Sequence, residues 1–577
     1  MKKITQLFNN IDYRDLLAFV WVSVFSFLAF APFQYAVLAW ISPFGLFYLA
    51  EKYAGQYRIL LKKGLLLAVI FNGISFYWIV HMMTVFGGFP LPVAVILFLL
   101  SGLLLQSKFP LFLVMYSWAR KNSSLDKSLL AAAAMTLADM LSFQIFPWFW
   151  GNLAAGHLFL SQLIEYTSVY GLTFLVFYVS ANLYSLVTEY RQKKETNFSV
   201  FILARKYLLL PLLTIVLLNL FGYLLLQKWS KLQPIAKKTV LVIQPDAPLE
   251  FRDGRSFRES MHDLMTRIER LVDQGAKAKK PDLIVIPESG VPFFSAHYSQ
   301  ATTSYNPSYW KDFEAMIKLF ALKYRANVFF NEIDAGFQND IQNEENQVFY
   351  NNSALYDPNG ERRDFYRKSF LLVFGEYMPF EFMYMLSPQT AKFEPGKIQN
   401  LIPFYAVENK EIGKAALSWN DTAKMDLSNL HDYYGKAAIK TAGSFLPLIC
   451  YEVIIPEFVR KFRNNGNPGF IVNITNDKWY GKSVETYQHF DLARIRAIEH
   501  RRWMVRSTNS GTSAIVDHLG QVVNNKMTGL ETAEYIISDI SVIDSEETFY
   551  VKHGNLIPWL LILLVAFGAY FTKKQEN

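Results

Sequence analysis

The chain has 577 residues but a single cysteine, Cys450. One cysteine cannot form a disulfide within the chain, and no Cys/His spacing typical of a zinc site is present. The nine histidines form no obvious pair of metal ligands, so the sequence predicts neither a metal nor another cofactor. Cys450 is therefore either an inert core residue, which is the more common case, or a reactive thiol.

Charged residues are also scarce, at 18% of the chain against 52% hydrophobic residues. A soluble protein of this length is rarely so apolar. The formal net charge of +8 is compatible with a nucleic acid or an anionic membrane surface as partner. However, the lysines and arginines form no single basic tract. Many lie in short clusters between long apolar runs, which favours a membrane protein over nucleic-acid binding.

Apolar segments near the length that crosses a bilayer, about 20 residues, predict seven membrane spans in the first part of the chain and one near its end. The predicted spans are 14–31, 34–50, 60–80, 91–117, 128–147, 158–187, 207–227 and 556–571. Charges are rare within them, which argues against an ion or solute path. Lys108 is an exception, and we expect a long, tilted or bent helix that turns this lysine toward protein or a cavity.

The loops between the spans alternate in basic residues. Loops 84–90 and 149–157 contain neither lysine nor arginine, whereas the loops after the second, fourth and sixth spans and both termini carry them. The positive-inside rule therefore predicts that both termini are cytoplasmic and that 228–555 lies on the far side. The basic residues are Lys2, Lys3, Arg14, Arg58, Lys62, Lys63, Arg120, Lys121, Lys127, Arg191, Lys193, Lys194, Arg205, Lys206, Lys573 and Lys574.

Beyond residue 227, short β-branched runs alternate with amphipathic stretches, which predicts a layered α/β domain. Residues 256–272 carry apolar side chains at helical spacing. Residues 400–441 are polar and weakly patterned, so we expect a solvated surface insertion there. The predicted organisation is a transmembrane bundle at 1–227, an α/β domain at 228–555, and a transmembrane helix with a cytoplasmic tail at 556–577. The predicted strands are 239–243, 282–286, 327–330, 353–356, 445–449, 470–474 and 513–516.

Three candidate catalytic residues lie next to strand-like runs. Residues 444–457 are typical of an apolar strand followed by a helix-compatible segment, with Cys450 at the junction. A sharp strand-to-helix turn at this junction would direct a nucleophilic Cys450 out of the core. Glu288 follows an apolar strand, and Lys368 precedes an apolar segment. Each residue alone has an ordinary structural explanation, as an exposed carboxylate, a solvated lysine or a packed thiol.

Together the three residues have the chemistry of acyl transfer through a thioester. We expect the cation of Lys368 to lower the pKa of the Cys450 thiol, because the thiolate is the nucleophile. Glu288 can take the thiol proton and return it to a leaving group. The lysine ammonium and the backbone N–H after the cysteine can stabilise the oxyanion.

The motifs resemble those of the nitrilase superfamily and, with the predicted spans, those of the apolipoprotein N-acyltransferase family. The similarity is carried by 287–289, 367–368, 449–452 and 473–481. It implies an eight-helix bundle carrying a nitrilase-like αββα sandwich in the bacterial inner membrane, with the catalytic domain periplasmic and the protein a monomer. It also implies Glu288 as general base, Lys368 as oxyanion stabiliser and Cys450 as nucleophile.

The resemblance further implies a ping-pong reaction on two lipidated substrates. An acyl chain passes from a phospholipid, typically phosphatidylethanolamine, to Cys450, and then to the α-amino group of the N-terminal diacylglyceryl-cysteine of an apolipoprotein. This is the last step of lipoprotein maturation. Glu376 matches an acidic position that orients Lys368, while Tyr451, Glu452 and Trp479 belong to the pocket.

Several segments near these residues are unusually apolar for loops, and we interpret them as arms that admit lipid. They are 291–294, 370–374, 380–386 and 479–480. His489 and His500 lie in a helical pattern rich in arginine, so we interpret them as structural rather than as partners of Cys450. The arginines at 494, 496, 501, 502 and 506 are expected to pack and pair within the domain.

Two other functions are open to the same sequence. A membrane-tethered nitrilase-type amidase or hydrolase would use the same three residues and let water resolve the thioester. The membrane half and the apolar arms argue against it, because a small polar amide needs neither. A non-enzymatic membrane scaffold or transporter would not need Glu288, Lys368 and Cys450 together.

Overall fold

The structure is a computed structural model that describes residues 12–85, 87–193, 200–248, 256–290, 308–337, 347–385, 392–408, 417–422 and 430–573. The chain divides into two compact units. The first comprises 1–80, 90–231 and 548–577, and the second comprises 81–89 and 232–547.

The chain up to residue 230 is helical in its described parts. The helices are α1 (Tyr13–Ala29), α2 (Phe44–Lys52), α3 (Tyr57–Ser75), α4 (Trp78–Val85), α5 (Leu91–Leu105), α6 (Lys108–Asn122), α7 (Lys127–Leu141), α8 (Trp150–Ala154), α9 (Leu158–Ser161), α10 (Ile164–Lys193) and α11 (Val200–Ser230). A 3₁₀ turn at Ala36–Trp40 precedes α2.

Three helical segments among the described residues are long and apolar enough to cross a membrane: 91–122, α10 and α11. The pair α3 and α4, bent by 72°, counts as a fourth if it forms one span. The helices at the other predicted spans are shorter than the roughly 20 residues that a span needs. For example, α1 has 17 residues and α7 has 15. The presence of membrane-spanning helices is supported, and their number, eight, stays a prediction.

Lys108 begins α6, just after the break that separates it from α5. Its side chain is buried, with Nζ 2.8 Å from Oδ1 of Asp139 on α7 and 2.5 Å from the carbonyl oxygen of Trp148. The other oxygen of Asp139 accepts hydrogen bonds from Thr173 Oγ1 and the N–H of Trp150, at 2.9 and 3.1 Å. The expected bent helix with an inward-facing lysine is confirmed, and the sequence did not identify Asp139 as its partner.

Substitution of Lys108 by methionine is expected to lower the stability of the protein in detergent by about 3–5 kcal/mol, because it leaves Asp139 buried without a cation. The double variant Lys108→Met/Asp139→Asn should recover most of this loss. Its amide oxygen is uncharged and can still accept from Thr173 and Trp150. Thermal unfolding followed by tryptophan fluorescence measures both effects. A wild-type midpoint in the single variant would show that the ion pair contributes nothing.

The second unit contains twelve strands in two six-stranded sheets, ordered β12-β1-β2-β3-β4-β5 and β11-β10-β9-β8-β7-β6. The pairs β1/β2, β2/β3, β7/β8 and β8/β9 are parallel, and the outer pairs are antiparallel. The strands are β1 (Ala236–Gln244), β2 (Leu283–Val285), β3 (Asn327–Phe337), β4 (Gln347–Tyr356), β5 (Arg362–Arg367), β6 (Ile402–Val407), β7 (Ile439–Ile449), β8 (Phe470–Thr475), β9 (Met504–Thr508), β10 (Ala514–Val516), β11 (Val522–Met527) and β12 (Glu534–Val542).

The two sheets pack face to face. Ser507 Oγ on β9 donates to the carbonyl oxygen of Ile243 on β1 at 2.9 Å, and the rings of Phe329 and Phe445 lie 5.0 Å apart. Helices cover the outer faces, which confirms the αββα sandwich. The helices that follow in the chain are α12 (Phe257–Ala278), α13 (Ser308–Tyr324), α14 (Trp419–Thr422), α15 (Leu430–Tyr434), α16 (Pro456–Lys461), α17 (Glu485–His500), α18 (Phe549–His553) and α19 (Leu556–Phe571).

Helix α12 shows how the local sequence builds these layers. Ser256 caps it: its hydroxyl accepts from the N–H of Glu259 at 3.2 Å, and the Glu259 carboxylate accepts from the N–H of Ser256 at 2.9 Å. Its apolar side chains, predicted from helical spacing, are all buried in a core shared with α13 and the first sheet. They are Met261, Leu264, Met265, Ile268 and Leu271.

The expectation of a solvated insertion at 400–441 is wrong for its described parts. Residues 402–407 form β6, which pairs with β7. Trp419 and Leu430 are buried in the core on the outer face of the first sheet. Residues 401–407 form a mostly apolar run that Pro403 interrupts, and proline is confined largely to the edges of sheets, which is where β6 lies. Residues 409–416 and 423–429 lie outside the described part of the chain.

Candidate active site

Three strand ends bring the candidate catalytic residues together. Glu288 lies three residues after β2, Lys368 directly follows β5, and Cys450 directly follows β7. The pairings of the first sheet make β5 run parallel to β2, so both strands end at the same edge of that sheet. All three side chains are buried, with Cys450 4% exposed and Lys368 1% exposed.

Lys368 lies between two carboxylates. Its Nζ is 2.8 Å from Oε1 of Glu376 and 3.5 Å from Oε1 of Glu288. Asn351, on β4, joins the same group, because its Nδ2 donates to Glu288 at 2.8 Å and to Glu376 at 2.7 Å. The N–H of Lys368 donates to the carbonyl oxygen of Asn351 at 2.8 Å. An ammonium and an amide therefore hold the two carboxylates in fixed positions.

Asn351 was not identified from the sequence. Its only signal is two consecutive asparagines, Asn351 and Asn352, in a strand, where asparagine is uncommon. The second sheet also contributes to this site. The N–H of Asn476, just after β8, donates to Oε2 of Glu288 at 3.0 Å. Glu288 is thus held by donors from both sheets.

Cys450 has a backbone φ of 52° and begins the 3₁₀ turn Cys450–Ile454. A positive φ is rare for a residue with a side chain, and it turns the chain sharply at the end of the strand. The predicted strand-to-helix turn at the cysteine is therefore present. The first N–H groups of such a helical turn have no acceptor within the turn, which suits them to bind an anion.

The electrostatics of the site differ from the expectation in one respect. Burial, and then the Glu288 carboxylate, raise the pKa of the Cys450 thiol well above its usual value, and Lys368 only partly opposes them. Lys368 thus lowers the pKa as expected, but burial and the Glu288 carboxylate outweigh it. Burial raises the pKa of Glu288 as well. Burial alone would lower the pKa of Lys368, but the carboxylates raise it, so the side chain stays an ammonium.

Alkylation of Cys450 by iodoacetamide is expected to keep accelerating as the pH rises to its ordinary pKa of 9.0 and beyond. Because the folded-state pKa is raised, the thiolate fraction grows about tenfold per pH unit through this range without levelling off. Glu288→Gln should shift the profile to lower pH, because it removes a carboxylate that disfavours the thiolate. Mass spectrometry of the alkylated protein gives the rates. A wild-type plateau below pH 7 would mean that Lys368 controls the thiol.

Glu452 connects the 3₁₀ turn at Cys450 to the segment after Lys368. One of its oxygens accepts from the N–H groups of Ser369 and Phe370 and from the Tyr366 hydroxyl, at 2.7, 3.0 and 2.8 Å. The other accepts from the N–H of Ile449 at 2.9 Å. Burial raises the pKa of Glu452 to about 7. This carboxylate therefore links the end of β5 to the end of β7.

Two further residues were predicted to belong to the pocket. Tyr451 directly follows Cys450 in the sequence, and Trp479 lies three residues after Asn476. The Tyr451 ring lies 5.7 Å from that of Phe370, and Trp479 is half-buried in the 3₁₀ turn Asp477–Tyr480. Among the apolar arms, Phe370, Phe380 and Met385 are exposed, whereas Leu371 and Tyr480 are buried. The arm at 291–294 and residue 386 lie outside the described residues.

The histidines and arginines of the following helical region lie inside the domain, as expected. His489 Nδ1 is 2.9 Å from Asp477 Oδ1, and burial lowers the pKa of His500 to about 3. The arginines at 496, 501, 502 and 506 are at most 2% exposed. Arg494 pairs with Asp491.

Residues 229–549 match the carbon–nitrogen hydrolase family, and residues 22–182 match the apolipoprotein N-acyltransferase N-terminal domain. The chain is 48% identical to apolipoprotein N-acyltransferase 2 of Leptospira interrogans, over 98% of this chain and 96% of that protein. It is 31% identical to apolipoprotein N-acyltransferase 1 of the same organism, over 96% of both chains. A solved carbon–nitrogen hydrolase from Helicobacter pylori has a TM-score of 0.33 at 13% identity and covers 53% of this chain and 90% of its own. The chain belongs to the apolipoprotein N-acyltransferase family, and its residues 229–549 belong to the carbon–nitrogen hydrolases.

Proposed function

We propose that this membrane acyltransferase moves an acyl chain from a phospholipid, through a thioester on Cys450, to the α-amino group of the N-terminal diacylglyceryl-cysteine of an apolipoprotein. The observation that carries the proposal is the buried group in which Glu288, Lys368 and Cys450 converge from three strand ends. Family membership supplies the lipid and lipoprotein substrates. Phosphatidylethanolamine is the proposed donor.

In the first half-reaction, Cys450 Sγ attacks the ester carbonyl carbon of the donor while the thiol proton passes to Glu288. The raised pKa of the thiol makes this transfer part of the attack rather than a step before it. Lys368 and the N–H of Tyr451 stabilise the oxyanion. When the carbon–oxygen ester bond breaks, Glu288 returns the proton to the glycerol oxygen. A lysophospholipid leaves, and the acyl thioester remains.

In the second half-reaction, the neutral α-amino group attacks the thioester carbonyl and passes one proton to Glu288. Collapse of the intermediate breaks the carbon–sulfur bond, and Glu288 protonates the departing thiolate. The products are an amide and the free thiol of Cys450. Glu376 keeps Lys368 in place through both halves, since their atoms are 2.8 Å apart. Tyr451, Glu452 and Trp479 shape the pocket.

The proposed topology follows the basic residues of the loops. Eight spans place 228–555 in the periplasm and both termini in the cytoplasm, with the bundle at 1–227 and the last helix and tail at 556–577. Because both substrates carry acyl chains, the catalytic group must reach the bilayer surface. The exposed Phe370, Phe380 and Met385 are suited to contact lipid there. The protein acts as a monomer.

Intact-protein mass spectrometry tests the proposed reaction. The purified protein is incubated with phosphatidylethanolamine and then with a diacylated lipopeptide that has a free N-terminus. A hydroxylamine-labile acyl adduct on Cys450 that moves to the lipopeptide amine is the expected result. An adduct that only hydrolyses would favour the membrane-tethered hydrolase. A folded sample that forms no adduct with any phospholipid would contradict thioester chemistry.

A further inference from the structure

A series of buried polar side chains, joined by hydrogen bonds, begins at the backbone of Cys450. Asn473, on β8, donates from Nδ2 to the carbonyl oxygens of Leu448 and Cys450, at 3.2 and 3.4 Å. These two carbonyls flank the point where the strand turns. A positive φ such as that of Cys450 persists only where the surrounding structure fixes it. Asn473 is placed to fix it.

Arg506, on β9, determines how Asn473 is oriented. Its guanidinium donates from Nη1 to Oδ1 of Asn473 and from Nη2 to Oδ2 of Asp477, the latter at 2.9 Å. A guanidinium can only donate, so Asn473 must present its oxygen to Arg506 and its NH₂ group to the carbonyls of the turn. Arg506 and Asn473 are both fully buried, which excludes water as a substitute partner.

Asp477, at the other end of this series of side chains, is also held in place. Oδ1 of Asp477 accepts from Thr475 Oγ1 at 3.2 Å and lies 2.9 Å from Nδ1 of His489. Asp477, His489 and Glu485 lie as close together as the ligands of a metal ion. However, the guanidinium of Arg506 already compensates the charge of Asp477. This arrangement favours a fixed support for Arg506 over a cation site.

We propose that Arg506 is a positioning residue for the nucleophile: through Asn473 it holds the backbone of Cys450 in the turn that directs the thiol toward Glu288 and Lys368. This role rests on the proposed thioester chemistry at Cys450. Without Arg506 the amide of Asn473 can rotate and the turn can relax. A displacement of the sulfur by about 1 Å is enough to slow the reaction on the order of 10²-fold.

Arg502 offers a matched control. It is as buried as Arg506, at 1% exposure, and donates to the carbonyl oxygen of Pro468 and to Asn467. It precedes β9, and because β7, β8 and β9 are parallel, it lies at the opposite end of the sheet from Cys450. Arg506→Met and Arg502→Met therefore remove the same buried side chain from the two ends of the same sheet.

The test measures three quantities in each full-length variant: the rate of acyl-enzyme formation at saturating phosphatidylethanolamine, the rate of Cys450 alkylation by iodoacetamide, and the thermal midpoint. Both variants should lose stability. Only Arg506→Met should slow acylation, by about 10²-fold, and change the alkylation rate. Equal acylation rates in the two variants would overturn the proposal.

Further variants keep the test decisive if Arg506→Met does not fold. Asn473→Leu removes the donors to the turn at similar volume and should reproduce the acylation defect. Arg506→Lys retains one cation that can reach either Asn473 or Asp477, so partial recovery is expected. Wild-type acylation in both would refute the positioning role. If the wild type itself forms no thioester, the proposed reaction fails, and the alkylation rates alone still decide whether Arg506 positions the thiol.

Discussion

Replacing Cys450 with alanine is expected to lower acyl transfer by a factor of about 10⁴ or more, because no other group can form the thioester. Cys450→Ser should be nearly as inactive. A hydroxyl is far less acidic than a thiol, so the Glu288 carboxylate that interacts with this position would deprotonate it poorly. Transfer from phosphatidylethanolamine to a diacylated lipopeptide, followed by mass spectrometry, measures the loss.

Both Cys450 variants should remain folded and membrane-inserted. The side chain is small, so alanine removes a single buried atom and serine replaces it with another. Thermal midpoints close to that of the wild type serve as the control, and loss of iodoacetamide labelling verifies the substitution in a chain with one cysteine. Transfer at the wild-type rate by either purified variant would refute the assignment of Cys450 as the nucleophile.

The sequence predicted the positions at which Glu288 and Cys450 leave their strands. It could do so because the ends of buried strands are marked locally, by an apolar run that stops at a polar residue. The strands before Glu288 and Cys450 are of this kind. The strand before Lys368 is not: four of the six residues of β5 are charged, so the sequence predicted only a polar patch there.

The contacts that fix the site could not be predicted in the same way. Asn351 reaches Glu288 and Glu376 only because β4 is held in the sheet between β3, which pairs with β2, and β5. Asn476 reaches Glu288 only because the two sheets pack face to face. Neither the strand pairing nor the packing of the two sheets can be recognised from the spacing of residues in the sequence. Strands β6, β11 and β12 were missed for a related reason, since they lie at or near sheet edges and their faces are partly polar.

The direction of the pKa shift at Cys450 shows a further limit. The sequence indicated a nearby cation, and Lys368 does lower the pKa of the thiol. The net shift depends on the sum of burial and two opposing charges, and therefore on distances that no motif specifies. A neutral resting thiol would suit the proposed periplasmic location, because oxidation starts from the thiolate.

Replacing Lys368 with methionine is expected to reduce acyl transfer by about 10³-fold and to destabilise the protein by about 3–5 kcal/mol. The two effects have different causes. Transfer falls because the oxyanion loses a charged donor and the thiolate loses a neighbouring cation. Stability falls because Glu288 and Glu376, both nearly buried, are left with Asn351 as their only shared donor among the described residues.

The double variant Lys368→Met/Glu376→Gln separates these causes. Removing one of the two uncompensated carboxylates should restore most of the lost stability. The single side-chain oxygen of glutamine can still accept from either Asn351 or the N–H of Leu372, which donate to different oxygens of Glu376 in the wild type, at 2.7 and 2.8 Å. Transfer should not recover, because no cation returns to the oxyanion. Lys323→Met, which removes a lysine paired with Asp273 elsewhere in the domain, is the control and should affect transfer little.

The outcome of the double variant decides what Lys368 does. Stability that recovers without transfer means that the ammonium acts on the reacting atoms, and that Glu376 serves only to hold it. Recovery of both would mean that Lys368 merely neutralises Glu376, and that the oxyanion is stabilised by backbone N–H groups at the Cys450 turn. The geometry favours the first result, because Nζ of Lys368 is 3.5 Å from the carboxylate of Glu288 that must take and return the proton. A cation at that distance acts on every charge that forms during transfer.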